Sequence, residues 1–439
     1  MSPDGGISLV NFFIINTASG YREEDEHLKI LFYHPSDVSR DTQMRDAGRA
    51  EAVLKFSQTF QPSKPCHAVH TLKAKQFFHQ PESEFCMVMT VTLPKAANSV
   101  DSCEKEVHDH IYHALLVQSY QMFRLFMGSF ASTVHEDDFS MLRTRSSHFF
   151  PKYLQTVPFE AADLADSLQG VQFMPLDKLA FLEVNHVVNQ IELEFDCIEK
   201  CVFMYGDMLA WSGLVQDDIQ PFYHYLTTNL FPSTKDCEAR FLTGMPNGTS
   251  PNVPVKTPQL FINLGGNLTQ CHLIVFRLDS ITLAMFVDAS RDLTPSLFQN
   301  IDLVLCRRLP LLNSKLAEQL LLRKPVSTEH RFLYFNQCNL AYKSTVHDVI
   351  EGRRVFTCLP QGTLDVIPAL SHVSGELKGR SGCEMIVKTM SDAWVVGRVR
   401  DKREFYVIVS QKNANLTDVA EEVKRYVLFN CKMCFSLSE

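Results

Sequence analysis

At 439 residues, with a formal net charge of −8 and 45% hydrophobic content, the chain has room for two to four domains of roughly 100 to 200 residues, each with its own core. The acidic balance argues against general nucleic-acid binding, and no uninterrupted apolar stretch reaches the roughly 18 residues that a membrane span needs. The amino terminus lacks the basic region of a signal peptide, and cysteines set in apolar runs (Cys86, Cys197, Cys201, Cys271, Cys306) fit reduced packing thiols, so a soluble, intracellular protein without a disulfide framework is expected.

Two apolar runs of strand length open the chain, Leu9 to Ile15 and Leu28 to Tyr33, rich in aromatic and β-branched residues. A helix pattern follows from Ser36, with Ser36 or Asp37 as its cap. From Phe85 to Leu93 apolar and smaller residues alternate with the period of a strand buried on one face. Ile111, Leu115, Met122 and Phe126 then line one side of a predicted helix. The same order recurs. Cys201 to Tyr205 and Met208 to Trp211 flank a Gly206-Asp207 turn, a helix follows Asp217-Asp218, and three strands between Leu260 and Val287 precede a long helix starting near Thr294, which Pro310 is expected to kink or divide.

The third round begins with Arg331 to Phe335 and Leu340 to Tyr342, after which a helix is expected near Ser344. Strands at Met385 to Thr389, Ala393 to Val399 and Glu404 to Val409 lead to a closing helix with Asn415 as N-cap and Leu416, Val419, Val423 and Val427 on one face. The reading is therefore α+β with three similar domains at 1–175, 176–325 and 326–439. A helical linker from Leu179 to Phe195 and the Arg323-Lys324-Pro325 stretch mark the boundaries. Neither is a Gly/Ser tether, so the domains are expected to pack against one another.

No constellation for covalent catalysis or cofactor binding stands out. Cys431-Lys432-Met433-Cys434 is a lone C-x-x-C without a second ligand pair, and His67 and His70 point to opposite faces of a strand. His108, His110 and His113 read as solvated residues at a helix start. Gly265-Gly266 is a turn, since it lacks both the P-loop lysine and the Rossmann spacing. Carboxylate pairs such as Asp217-Asp218 read as surface charge. The expected catalytic residues, metal ligands and cofactors are accordingly none.

Two clusters stand out as candidate protein-binding surface: Tyr33-His34-Pro35-Ser36, which joins a strand to a helix, and Pro62-Ser63-Lys64-Pro65, which leaves that helix. A basic face in the third unit, with Lys388, Arg398, Arg400, Lys402 and Arg403, is a candidate contact for anionic lipid.

At these segments the chain resembles the CCZ vacuolar fusion proteins, named for calcium-caffeine-zinc sensitivity. The resemblance runs through Ile30 to Pro35, Pro62 to Pro65, Trp211 to Leu214 with Gln216 to Asp218, Arg240 to Gly244, Tyr334 to Asn336, Trp394 to Gly397 and Gln411 to Leu416, and covers nearly the full chain. It implies three longin-like domains, each a five-stranded antiparallel sheet flanked by helices. It also implies an obligate heterodimer with a MON (monensin-sensitivity) family subunit, acting as a guanine nucleotide exchange factor for the late-endosomal GTPase Rab seven. In that setting the first domain offers the GTPase and partner interface, and the others meet a third scaffold subunit and the endosomal, lysosomal or vacuolar membrane from the cytoplasm. The chain alone would not be an enzyme. A non-catalytic longin scaffold or adaptor is the alternative.

Overall fold

The computed structural model describes residues 6–18, 27–62, 65–94, 106–134, 138–235, 239–244, 257–322, 331–350, 353–356, 365–410 and 414–424. The first domain runs β1 (Leu9–Asn16), β2 (Ile30–His34), α1 (Arg40–Phe60), β3 (Ala68–His70), β4 (Ala74–Glu82), β5 (Phe85–Thr92) and α2 (Asp109–Met127), followed by α3 (Ser140–Thr156) and the short α4 (Leu164–Leu168). The second runs α5 (Lys178–Glu194), β6 (Ile198–Tyr205), β7 (Met208–Ser212), α6 (Gln216–Tyr225), a π-helical turn at Leu226–Leu230, one further turn α7 (Phe231–Ser233), β8 (Gln259–Leu264), β9 (Asn267–Leu278), β10 (Ile281–Asp288) and α8 (Pro295–Leu322). The third runs β11 (Arg331–Asn336), β12 (Ala341–Ser344), the hairpin β13 (His347–Ile350) and β14 (Arg353–Phe356), α9 (Val366–Leu377), β15 (Cys383–Lys388), β16 (Trp394–Arg400), β17 (Arg403–Val409) and a helix over 416–424, here α10.

Each domain builds the same five-stranded antiparallel sheet, ordered β2-β1-β5-β4-β3, β7-β6-β10-β9-β8 and β12-β11-β17-β16-β15. Alternation along the strands sends side chains to two faces, and helices cover both. In the first sheet Phe13, Ile15 and Val88 meet α1, while Phe12, Ile14 and Met87 meet α2 and α3. In the second, Phe203, Leu283 and Met285 lie under α5 and α8, and Val202, Met204 and Phe286 lie under α6. In the third, Leu333, Val395 and Tyr406 meet α9, and Phe332, Val396 and Val407 meet α10.

Several local expectations are corrected. The first inter-strand helix is capped by Ser39, whose side chain accepts from the Thr42 N–H; Ser36 and Asp37 belong to the preceding turn. No helix starts at Ser344, because the β-branched stretch through Val346, Val349 and Ile350 favours a hairpin, and the helix waits until Val366. Pro310 does not divide α8, which is continuous over 28 residues. The expected N-cap Asn415 does form: its side chain accepts from the Asp418 N–H while its own N–H donates to Asp418. Val427 and the Cys431–Cys434 motif lie outside the described residues.

The sequence-based boundaries hide a strap. α4 buries Leu164 and Leu168 in the core of the third domain. Beyond it, Val171 bridges Ala341 on the edge strand β12, and Phe173 bridges Leu209 on the edge strand β7. Four backbone hydrogen bonds secure the two contacts, with Val171 and Tyr342 donating on one side and Met174 and Leu209 on the other, at 2.7 to 2.8 Å. Gly170 makes the approach possible: a Cβ there would sit 2.1 Å from the Tyr342 Cβ. The domains thus pack as expected.

Candidate partner-binding surfaces

The helix between the second and third strands is α1, α6 and α9 in the three domains, and its surroundings differ. α6 and α9 both face α2 or α4. Arg124 on α2 pairs at 3.0 Å with Asp218 on α6, which also accepts from the Asn263 backbone N–H at 2.6 Å and from its side-chain amide. Asp218 is 3% exposed, which corrects the expectation of a surface carboxylate pair. Its neighbours explain the burial, although desolvation still outweighs Asn263 and Arg124 and pushes its carboxyl above the ordinary range. On α9, Gly375 lies against the His110 ring of α2.

No such helix lies over α1 among the described residues. Its inner side uses Ala47, Ala50 and Leu54 against the sheet. Its outer side carries Gly48, Ala52, Phe56 and Phe60 at four-residue spacing, a stripe along one helix face. Phe56 and Phe60 are 66% and 73% exposed, with their rings edge to face at 4.9 Å. Sequence reasoning missed this stripe, whose signal was an apolar pair roughly half a turn away from the buried positions.

The predicted clusters fall at opposite ends of α1. Its 21 residues separate them by about 30 Å, and the helix crosses from the edge strand β2 towards the other edge, β3. Tyr33 is not a surface residue: it is 9% exposed, stacks on Phe13, donates to Asp46 at 2.7 Å and accepts from Asn11. Burial and then the Asp46 hydrogen bond push its hydroxyl well above the usual tyrosine range. His34 and Pro35 are half-buried, joined by a cis peptide, and Ser36 is exposed. Burial lowers the His34 pKa against the opposing charge of Asp37. Pro62 and Pro65 are exposed, while Ser63 and Lys64 lie outside the described residues.

The expectation of solvated histidines on α2 is overturned. His110 and His113 are half-buried, each with a buried Nε2 that lacks a hydrogen bond, and burial pulls their pKa values down to about 3 and about 4. His67 precedes β3 and its ring packs on His113 at 4.5 Å, whereas His70, the last residue of β3, pairs with Asp109 at 2.7 Å, so the two histidines serve different contacts. Among the described residues no group of His, Cys, Asp or Glu could hold a metal ion.

On the third domain, Lys388 sits at one end of the sheet and Arg400, Lys402 and Arg403 at the other. Lys388 pairs with Asp392 at 2.9 Å, Arg398 with Glu384 at 2.5 Å and Arg400 with Asp401 at 3.4 Å. Carboxylates therefore offset much of this positive charge. Lys402 occupies the tip of the β16–β17 turn with φ of 61°. No helix among the described residues is long and apolar enough to cross a membrane.

Comparison with known proteins follows the same threefold division. Residues 9–128 match the family described as the first longin domain of INTU, CCZ1 and HPS4, residues 198–308 match Intu longin-like domain 2, and residues 326–426 match Intu longin-like domain 3. The chain is 37% identical over 454 residues to the vacuolar fusion protein CCZ1 homolog of Xenopus tropicalis, with 95% of both chains covered. It is 38% identical over 445 residues to that of Nematostella vectensis and 28% identical over 438 residues to that of Dictyostelium discoideum, again with 95% of both chains covered. The chain belongs to the CCZ1 family of vacuolar fusion proteins, built from three longin-like domains.

Proposed function

We propose that this chain is one subunit of a heteromeric guanine nucleotide exchange factor that pairs with a MON family subunit and opens the nucleotide site of Rab seven during vacuolar or lysosomal fusion. The observation that carries the reading is the near full-length similarity to vacuolar fusion proteins. Exchange needs no nucleophile or general base. A surface that prefers the nucleotide-free GTPase lowers nucleotide affinity by the same coupling factor.

The outer stripe of α1 supports a place for the partner, because exposed aromatic residues in a row are strong interface anchors. His34 to Ser36 at one end of that helix, and Pro62 and Pro65 at the other, extend the contact. The second and third domains would serve a third scaffold subunit and the anionic endosomal membrane, with Lys402 the outermost contact. The protein would act from the cytoplasm at the late endosome, lysosome or vacuole.

The test is release of labelled GDP from Rab seven by the mixed pair, with each subunit alone as control. The pair should accelerate release, and His34→Ala combined with Lys64→Glu should slow it. If the pair forms without releasing nucleotide, the chain is a longin scaffold; if the double variant alters neither pairing nor rate, the contact lies elsewhere.

A further inference from the structure

A cavity of about 900 Å³ opens where the three domains meet. It lies between α2, the π-helical turn after α6, the start of α9 and the chain crossing from α3 to α4. Such a volume suits a drug-sized organic molecule. Tyr112, Leu115, Val157, Pro158 and Ile367 give it apolar walls.

Its carboxylates face no Lys or Arg among the described residues. Among the described residues lining the cavity none is Lys or Arg, while Glu106, Glu160 and Asp207 are exposed carboxylates on it. Two histidines, His108 and His224, also line the cavity; burial, more than any neighbour, lowers the pKa of His108. Two further lining carboxylates, Asp163 and Asp166, are engaged in the capping box of α4.

A second observation is independent of this charge. Gln118 lines the same cavity, is 7% exposed, and has no hydrogen-bond partner among the described residues. Its amide nitrogen and oxygen are not sealed from solvent, and a primary amide has two donors and an acceptor to offer. Here that capacity is turned to the cavity, further from solvent than the carboxylates.

We propose that the cavity binds an amphipathic organic cation, its ammonium group among Glu106, Glu160 and Asp207, its apolar body between Tyr112, Leu115 and Ile367, and a hydrogen-bonding group on Gln118. The ligand touches all three domains and therefore stabilises their packed arrangement over any separated one. The site is separate from α1 and does not rest on the exchange reading.

The test titrates the full chain with two fluorescent probes of similar body and opposite charge. Dansylcadaverine ends in an ammonium group, and dansyl-6-aminohexanoate ends in a carboxylate. Saturable enhancement with at least about tenfold preference for the cation is expected. Glu106→Gln with Glu160→Gln, on the exposed rim, should erase most of that preference. Gln118→Leu should weaken both probes, and Ala161→Trp should block both while leaving the thermal melt unchanged. Equal affinity for the two probes, absence of saturation, or undiminished binding by the Ala161→Trp variant overturns the proposal. Should Ala161→Trp prove unfolded, the rim pair still decides, because loss of charge preference supports the site and retained preference refutes it.

Discussion

The first domain and the two that follow share one sheet order but spend their surfaces differently. In the second and third, the edge strands β7 and β12 are bridged by the strap at 171 to 174, and α6 and α9 lie against α2 or α4. In the first, no strand pairs with the outer edge of β2 and no helix covers α1 among the described residues. An unsatisfied edge and an uncovered apolar stripe are what a fold ordinarily hides. Internal assembly consumes these elements in two domains and leaves those of the first domain open among the described residues.

The sharpest way to break this contrast is Phe56→Glu with Phe60→Glu. At roughly 2 kcal/mol for each hot-spot aromatic, about 4 kcal/mol for the two, binding to the proposed MON partner should fall by about 700-fold, measured by titration, while the melting temperature of the chain stays put. Unchanged affinity would mean that the open face of α1 is idle. On the consumed side, Gly170→Ala should cost about 3 kcal/mol in denaturant unfolding, since the new methyl overlaps Tyr342 and the strap must lift from β12. Protease cutting near residue 170 should rise in parallel.

Asp218→Ala removes the shared acceptor of Arg124 and Asn263 and should cost about 2 kcal/mol, without affecting partner binding. Tyr33→Phe should cost about 1 kcal/mol and leave nucleotide release intact, because its hydroxyl serves Asp46 inside the domain. The smallest effect concerns acid. Burial alone would raise the Glu51 carboxyl, but Lys55 and Lys29 hold it below its ordinary 4.5. Its contribution is therefore complete above that value and disappears as pH falls through the lower folded value. Glu51→Gln should flatten that part of the acid unfolding curve, recorded by circular dichroism.

The threefold order could be read from sequence because one-face burial imposes alternation, as in Phe85 to Thr92, and because turns such as Gly265-Gly266 punctuate it. Tertiary accounts were less legible. Asp217-Asp218 has the composition of a surface pair, and only Arg124, far away in sequence, makes Asp218 internal. Tyr33 lies in a resemblance-bearing stretch yet points inward, since its strand position places it on Phe13. The strap was invisible because one bridged residue per sheet carries no period, and Gly170 signals its role only once Tyr342 is beside it.

Helix α2 has a mechanical consequence. Leu115 and Phe123 belong to the first core, Leu125 to the second, and His110 touches α9. A hinge between the first two domains would have to pull this helix out of one core or the other. The chain is thus built like parts keyed to one axle, with a single helix sitting in two cores at once and its first turn resting on the third domain.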